Sequence, residues 1–492
     1  MLGDNGLKGL TTLEELHEYH SDSSQNPVEP ENGQRSQPED AHEMATMESA
    51  PVVYKTYKRR WFGLAQLVLL NIIVSWDWLT FSASSKTSAS YYNVSESDIN
   101  WISTGFLFAF CVAAPFVIWI LNKGGPKPSI IIAAALLLVG NWVRYIGTVV
   151  SGGIYGVVML GQVLIGLAQP FVLAAPTRYS DLWFTDRGRI SATAVASLAN
   201  PFGGAFAQLI DPFLVSKPHD VPRLVLVISI ISSIAALPSF FIPARPPTPP
   251  SISSSVLKTS LRVTIPQLAK STNFYLIFIP FSVYVGFFNS FSTLINQFLE
   301  PYDFSETDAG ITGGLLIIVG LISAAITSPL VDRFKCYLLT LKILVPVIAL
   351  CYLTFIWAPP SGSVVAPYLI SAVLGAASFS LVPVALEYLV EIIWPISPEV
   401  SSTFCWTGGQ LLGAIFIIIS DALREGEDGS PPLSMKKALI FQAVVALAVV
   451  PLPLYLGWFG SSVHARRLEV DKQNPAQPSD SSNGSEGDGI MV

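Results

Sequence analysis

The chain has 492 residues, of which 51% are hydrophobic and only 13% charged, where a soluble domain carries about 25% charged residues. With a mean hydropathy of +0.51 it holds more uninterrupted apolar runs than a water-soluble core needs, so a polytopic helical membrane protein is expected. The formal charge of −7 is concentrated in the tails and says little about partners; basic residues sit in short loops between apolar runs, which excludes a nucleic-acid patch.

Residues 1–54 are polar and acidic, with Glu14, Glu15, Glu18, Glu29 and Glu31 among many carboxylates and only Lys8 and Arg35 to balance them. Such a composition is expected to stay disordered, as a cytoplasmic tail. No apolar region follows Met1, so the first span is expected to direct its own insertion. That span is Trp61–Ser82, entered through Lys55, Lys58, Arg59 and Arg60. About 20 apolar residues suffice to cross a bilayer as a helix, and the basic residues favour a cytoplasmic start.

Further spans are expected at about 99–121, 128–148, 154–176, 190–215 and 222–242. A second series follows at 274–299, 308–330, 336–357, 365–394, 400–423 and 437–459. Residues 244–272 between the two series are Pro- and Ser-rich and basic, as a cytoplasmic linker would be. The division is then a six-helix half over 55–243, the linker, a second half over 273–460 and a polar, disordered cytoplasmic tail over 461–492. Basic residues gather at the ends that this count makes cytoplasmic, including Arg333 and Lys335, with Lys436 and Lys437 as the exception. The sequon Asn93-Val94-Ser95 falls outside, which makes Asn93 the expected glycosylation site. Six plus six around a long middle loop is the plan of the major facilitator superfamily, an all-α membrane fold whose halves rock about a midplane site. The plan by itself names no substrate.

Polar residues within apolar spans are the strongest functional signal, because lipid makes each one costly without a partner or water. Asp77 lies between Trp76 and Trp78, where it either bonds a neighbouring helix or faces a cavity. The tryptophans are either interface anchors or cavity walls. Gln162 and Gln169 share a helix face, Asn200 precedes Pro201, and Asn289, Asn296 and Gln297 follow in the seventh span. Glu387 and Glu391 stand one turn apart in the tenth, and Gln410 lies in the eleventh. For the amides, ordinary interhelix hydrogen bonding is the plain alternative. The two glutamates have another in pairing with a base such as Arg333 near the cytoplasmic mouth. Arg144 is expected to snorkel to the outer interface. Hydrolase, metalloprotease and phosphate-loop motifs are absent. Cys111, Cys336, Cys351 and Cys405 show no paired spacing, so neither enzyme, metal nor cofactor is expected.

From Tyr57 to about Phe459 the chain resembles the feline leukaemia virus subgroup C receptor-related family of major facilitator transporters. The resemblance is carried by Tyr57-Lys-Arg-Arg60, Ile99-Asn-Trp-Ile-Ser103, Trp119-Ile-Leu-Asn122, Gly161-Gln-Val-Leu with Ala168-Gln169, and Ala175-Pro-Thr-Arg178. Trp183-Phe184, Asn200 with Gly203, Ser292-Thr-Leu-Ile-Asn-Gln297, and above all the run from Leu386 to Pro395 extending to Gln410 complete it. It implies transport of choline or ethanolamine, with haem and, in a distant branch, pyridoxine as alternatives. By position Trp78 matches the family's cage tryptophan, and Gln169, Asn200 and Gln410 its cavity amides. Two departures stand out: Asn289 replaces the cage tyrosine, beside Phe287 and Phe288, and Asp77 replaces an amide. Asp77 would then supply charge or a titrating site. The family's cytoplasmic latch has Asn122 in place of its usual aspartate, while Asp332-Arg333 retains the pair of the second half.

The expectation is a monomeric plasma-membrane carrier of a small, cationic organic solute. The rival of another class is a non-transporting receptor or scaffold that recruits partners through its acidic tail.

Overall fold

The computed structural model describes residues 55–184, 186–248, 261–334, 336–393 and 398–456. Twelve long helices dominate: α1 Arg59–Leu79, α2 Glu96–Gly124, α3 Pro126–Val149, α4 Tyr155–Leu173, α5 Asp186–Leu214 and α6 Val221–Ala236, then α7 Thr272–Leu299, α8 Glu306–Phe334, α9 Tyr337–Phe355, α10 Val365–Ile393, α11 Pro398–Ala422 and α12 Lys436–Ala448. Eleven helices among the described residues are long and apolar enough to cross a membrane. The remaining one, α5, has the length at 29 residues. Its alanines and glycines, with Asn200, Gln208 and Asp211, make it less apolar, and it packs against α1 and α8.

Local chemistry sets the ends. Ser95 caps α2 by accepting from the Asp98 backbone N–H at 3.2 Å, while the Asp98 carboxylate accepts from the Ser95 N–H at 2.9 Å. This reciprocal pair satisfies amides that a helix start leaves open. Gly125, at φ +75°, turns the chain between α2 and α3, and Pro126 opens α3 where its missing N–H costs nothing. Between α1 and α2, where the sequence shows no apolar run, the chain forms a short helix, Ser85–Tyr92, held by Tyr92 Oη at 2.8 Å from Thr148 Oγ1.

The helices pair in a repeated pattern. In the first half α3 packs on α4 and α6, α1 on α4, α5 and α6, and α2 on α4. In the second half α9 packs on α10 and α12, α7 on α10, α11 and α12, and α8 on α10. Adding six to each label of the first set yields the second, which is the signature of an internal structural repeat. The halves meet chiefly where α2 faces α11 and where α5 faces α8. Small residues permit the close approaches: a Cβ on Gly203 would run into the Ile72 carbonyl of α1, and one on Gly310 into the Gln208 carbonyl of α5.

Candidate functional site

Helix α1 carries two polar levels. At the upper one, near its C-terminus, Asp77 and Arg144 of α3 are both fully buried, with Nη2 2.6 Å from Oδ1. Arg144 Nη1 also donates to the Asp77 carbonyl at 3.1 Å and to Gln162 Oε1 of α4 at 3.0 Å. Asn141 Nδ2 donates to Asp77 Oδ2 at 2.7 Å and to Ser232 Oγ of α6 at 3.0 Å. The cluster therefore binds α1, α3, α4 and α6 of one half to each other. Charge-assisted hydrogen bonds of this kind are the strong ones. It corrects the expectation for Arg144, which does not reach the outer interface. Its guanidinium lies 5.5 Å from the Phe81 ring centroid and turns inward to the carboxylate instead. Asp77 is likewise placed: its charge faces Arg144 and Asn141, within the half.

Trp76 is buried too, and its Nε1–H donates to Asp211 Oδ1 of α5 at 2.9 Å. Trp78 points elsewhere. Adjacent helix residues diverge by about 100°, and this one stacks on Phe106 of α2, ring centroids 6.3 Å apart at 23°. Across the interface it meets Phe288 of α7 at 6.5 Å and 49°. Phe288 in turn packs edge-on against Phe379 of α10. The second aromatic partner thus comes from Phe288, one position before Asn289. Asn289 Nδ2 itself donates to Gln410 Oε1 of α11 at 2.9 Å.

The lower level lies two turns back along α1, about 10 Å away. Asn71 is fully buried there and donates to the Val172 carbonyl of α4 at 3.1 Å. Asn200 of α5 donates to the Asn71 carbonyl at 3.4 Å. Gln169 is buried one turn before Val172 on α4. Trp78 Nε1, Gln169 Oε1 and Asn71 Oδ1 are among the buried polar atoms without a hydrogen-bond partner. Such groups are expensive unless a ligand or water completes them.

Of the five expected solute residues, the structure joins Asn289 to Gln410 and brings Trp78 to the neighbour of Asn289. Gln169 and Asn200 converge on the Asn71 level of the first half. Glu387 is exposed near the end of α10, Arg333 is exposed at the end of α8, and the side chains of Asp332 and Glu391 lie outside the described residues. Asn93 is exposed, at the left-handed C-cap of Ser85–Tyr92 with φ 54°.

Sequence reasoning missed Phe106 and Asn71, which carry no motif, and the polar clasp between the halves at the Asn93 end. There Lys86 Nζ is 2.6 Å from Glu300 Oε1, and Thr87 Oγ1 donates to Glu306 at 2.8 Å. Asn100 and Gln297 exchange hydrogen bonds of 3.0 and 2.7 Å. Arg424 Nη2 lies 3.1 Å from Glu96 Oε2 and also donates to Gln297. Charges of opposite sign on helices far apart in the chain were the available signal.

Comparisons with known proteins agree with one another. Residues 67–417 match the Major Facilitator Superfamily. The chain is 32% identical over 438 residues to Solute carrier family 49 member A3 of Danio rerio, covering 86% of this chain and 92% of that one. It is 27% identical over 398 residues to the Choline/ethanolamine transporter flvcr2a of Danio rerio, covering 78% and 83%. Among solved structures, a bacterial homolog of the human lysosomal transporter Spinster superposes with a TM-score of 0.61 at 14% identity, over 86% of this chain and 100% of that one, and so shares the fold.

Proposed function

The chain is a multi-pass membrane transporter of the feline leukaemia virus subgroup C receptor-related family, within the major facilitator superfamily, and from that premise we propose that it carries a choline- or ethanolamine-like organic cation by alternating access. The observation that supports this reading best is Trp78, which belongs to one half and meets Phe288 of the other with tilted rings 6.5 Å apart. A cation without strong hydrogen-bond donors is held by ring faces, an attraction worth about 0.5–2 kcal/mol per ring. The Asn289–Gln410 amide pair adjoins those rings. A small amino alcohol also brings a hydroxyl, for which the unpaired Trp78 Nε1 and Gln169 Oε1 are suitable partners. Asn200 completes the amide set on the first half. The clasp at the Asn93 end joins the two halves, the arrangement expected of a carrier closed on its outer side.

Haem, with its two carboxylates, fits less well: Arg144, the fully buried cation among the described residues, is committed to Asp77. The test is uptake by the full chain in proteoliposomes, with choline, ethanolamine and pyridoxine offered in turn. Trp78→Ala protein that folds normally is expected to lose uptake by about tenfold. Full uptake of every candidate by that variant removes the aromatic site.

A further inference from the structure

At the Asn93 end, α2 and α11 face each other across a hollow of about 160 Å³ that the central site does not include. That is roughly ten times the ~15 Å³ that suffices for one water molecule. Ser97, Asn100, Trp101 and Thr104 line it from α2 at the spacing of one helix face, and Ile417 and Asp421 line it from α11.

The chemistry of the walls is specific. Asp421 Oδ1 accepts from Asn100 Nδ2 at 3.0 Å. Its other oxygen has no partner among the described residues, and Asp421 forms no ion pair there. Arg424, just past the end of α11, is held by Glu96 and Gln297, and Glu425 is paired with Lys437 at 3.4 Å. With Arg424 committed to Glu96 and Gln297, the Asp421 carboxylate has Asn100 as its hydrogen-bond partner and no ion pair among the described residues. Trp101 is 45% exposed, leaving ring surface open at the rim. A carboxylate, an open indole and an aliphatic floor match an alkylammonium group: the charge meets the carboxylate, the ring takes the methyl or methylene face, and Ile417 takes the chain.

We propose that this corner is a second binding site, for the ammonium group of a free organic amine or of a lipid headgroup, and that its occupant ties α2 to α11. The two walls belong to different halves. They must separate when this end opens, so the site exists only in the closed state, and its occupant favours that state by its whole affinity for it.

The experiment uses the full chain carrying Trp78→Ala, so that the outcome does not depend on the central site. The protein is placed in phosphatidylglycerol nanodiscs and titrated with radiolabelled tetramethylammonium at constant ionic strength. One saturable site is expected. Adding Asp421→Asn, which keeps the acceptor for Asn100, is expected to weaken it at least about tenfold, and adding Trp101→Ala about fivefold. Displacement by phosphatidylethanolamine in the disc identifies the headgroup as the occupant, and persistence of binding identifies the free amine. The proposal is overturned if no saturable site is found, or if both variants bind tetramethylammonium as their parent does.

Discussion

Arg144 Nη2 of α3 lies 2.6 Å from Asp77 Oδ1 of α1, and neither side chain reaches solvent. A buried pair of this kind contributes little net stability compared with apolar side chains of the same shape, but removing one partner strands a charge, at about 3–5 kcal/mol. Asp77→Ala and Arg144→Ala are each expected to destabilise the protein by that amount, and Asp77→Asn with Arg144→Gln to recover part of it. Thermal unfolding of the purified variants decides. Were Asp77 a proton-coupling site instead, Asp77→Asn would alter the pH profile of flux and leave the melting temperature unchanged.

The clasp predicts unequal effects for its two ion pairs. Arg424 and Glu96 side chains are only 14% and 15% exposed, so Arg424→Ala is expected to shift the closed state by about 1.5–3 kcal/mol, roughly tenfold or more. Lys86 is 65% exposed beside Glu300, and Lys86→Ala is expected to change little, since exposed pairs contribute little. Labelling of a thiol introduced at Ser97 by a membrane-impermeant reagent reports the difference. Equal labelling of both variants would refute the ranking.

Hydrogen bonding and charge attraction from Glu300 raise the Lys86 pKa above 10.5. A raised lysine contributes below its unfolded pKa and loses that contribution as pH climbs through the folded value. The small labelling difference between wild type and Lys86→Ala is therefore expected to stay level from about pH 6 to about pH 9. A slope in that interval would assign the pair a different role.

Helix approach gives a stability test with its own control. Gly203→Ala puts a methyl into the Ile72 carbonyl, an overpacking that typically costs about 1–3 kcal/mol. Gly156→Ala meets nothing within 4 Å and is expected to leave the melting temperature unchanged or slightly higher.

Asn93 provides the test of sidedness. It is exposed and precedes the cap Ser95, whose hydroxyl is engaged with Asp98 at 2.7 Å. Expression in a glycosylating host is expected to yield a band that shifts on deglycosylation, and Asn93→Gln to abolish the shift. An unglycosylated wild type would remove the evidence that this end faces outward.

The helix plan was legible because lipid forces every backbone amide to be satisfied within its own segment, so long apolar runs can only be helices. Charges in the loops then gave a count and an orientation. The short helix Ser85–Tyr92 escaped because its residues are polar and its stability comes from packing and from Thr148, 56 positions from Tyr92. Trp78 and Phe288 were both noticed, but nothing in their spacing placed one ring against the other. Asp77 shows the limit most clearly: its burial was readable, and its partner was not.

Sequence by itself determined the number of long helices, their division into two series of six and the family, since these follow from local hydrophobicity and from residues conspicuous in their own segment. Tertiary structure alone decided which polar groups neutralise one another and which rings meet across the two halves. A span's side chains radiate in all directions, and only the neighbours that fold against it select the face each one meets.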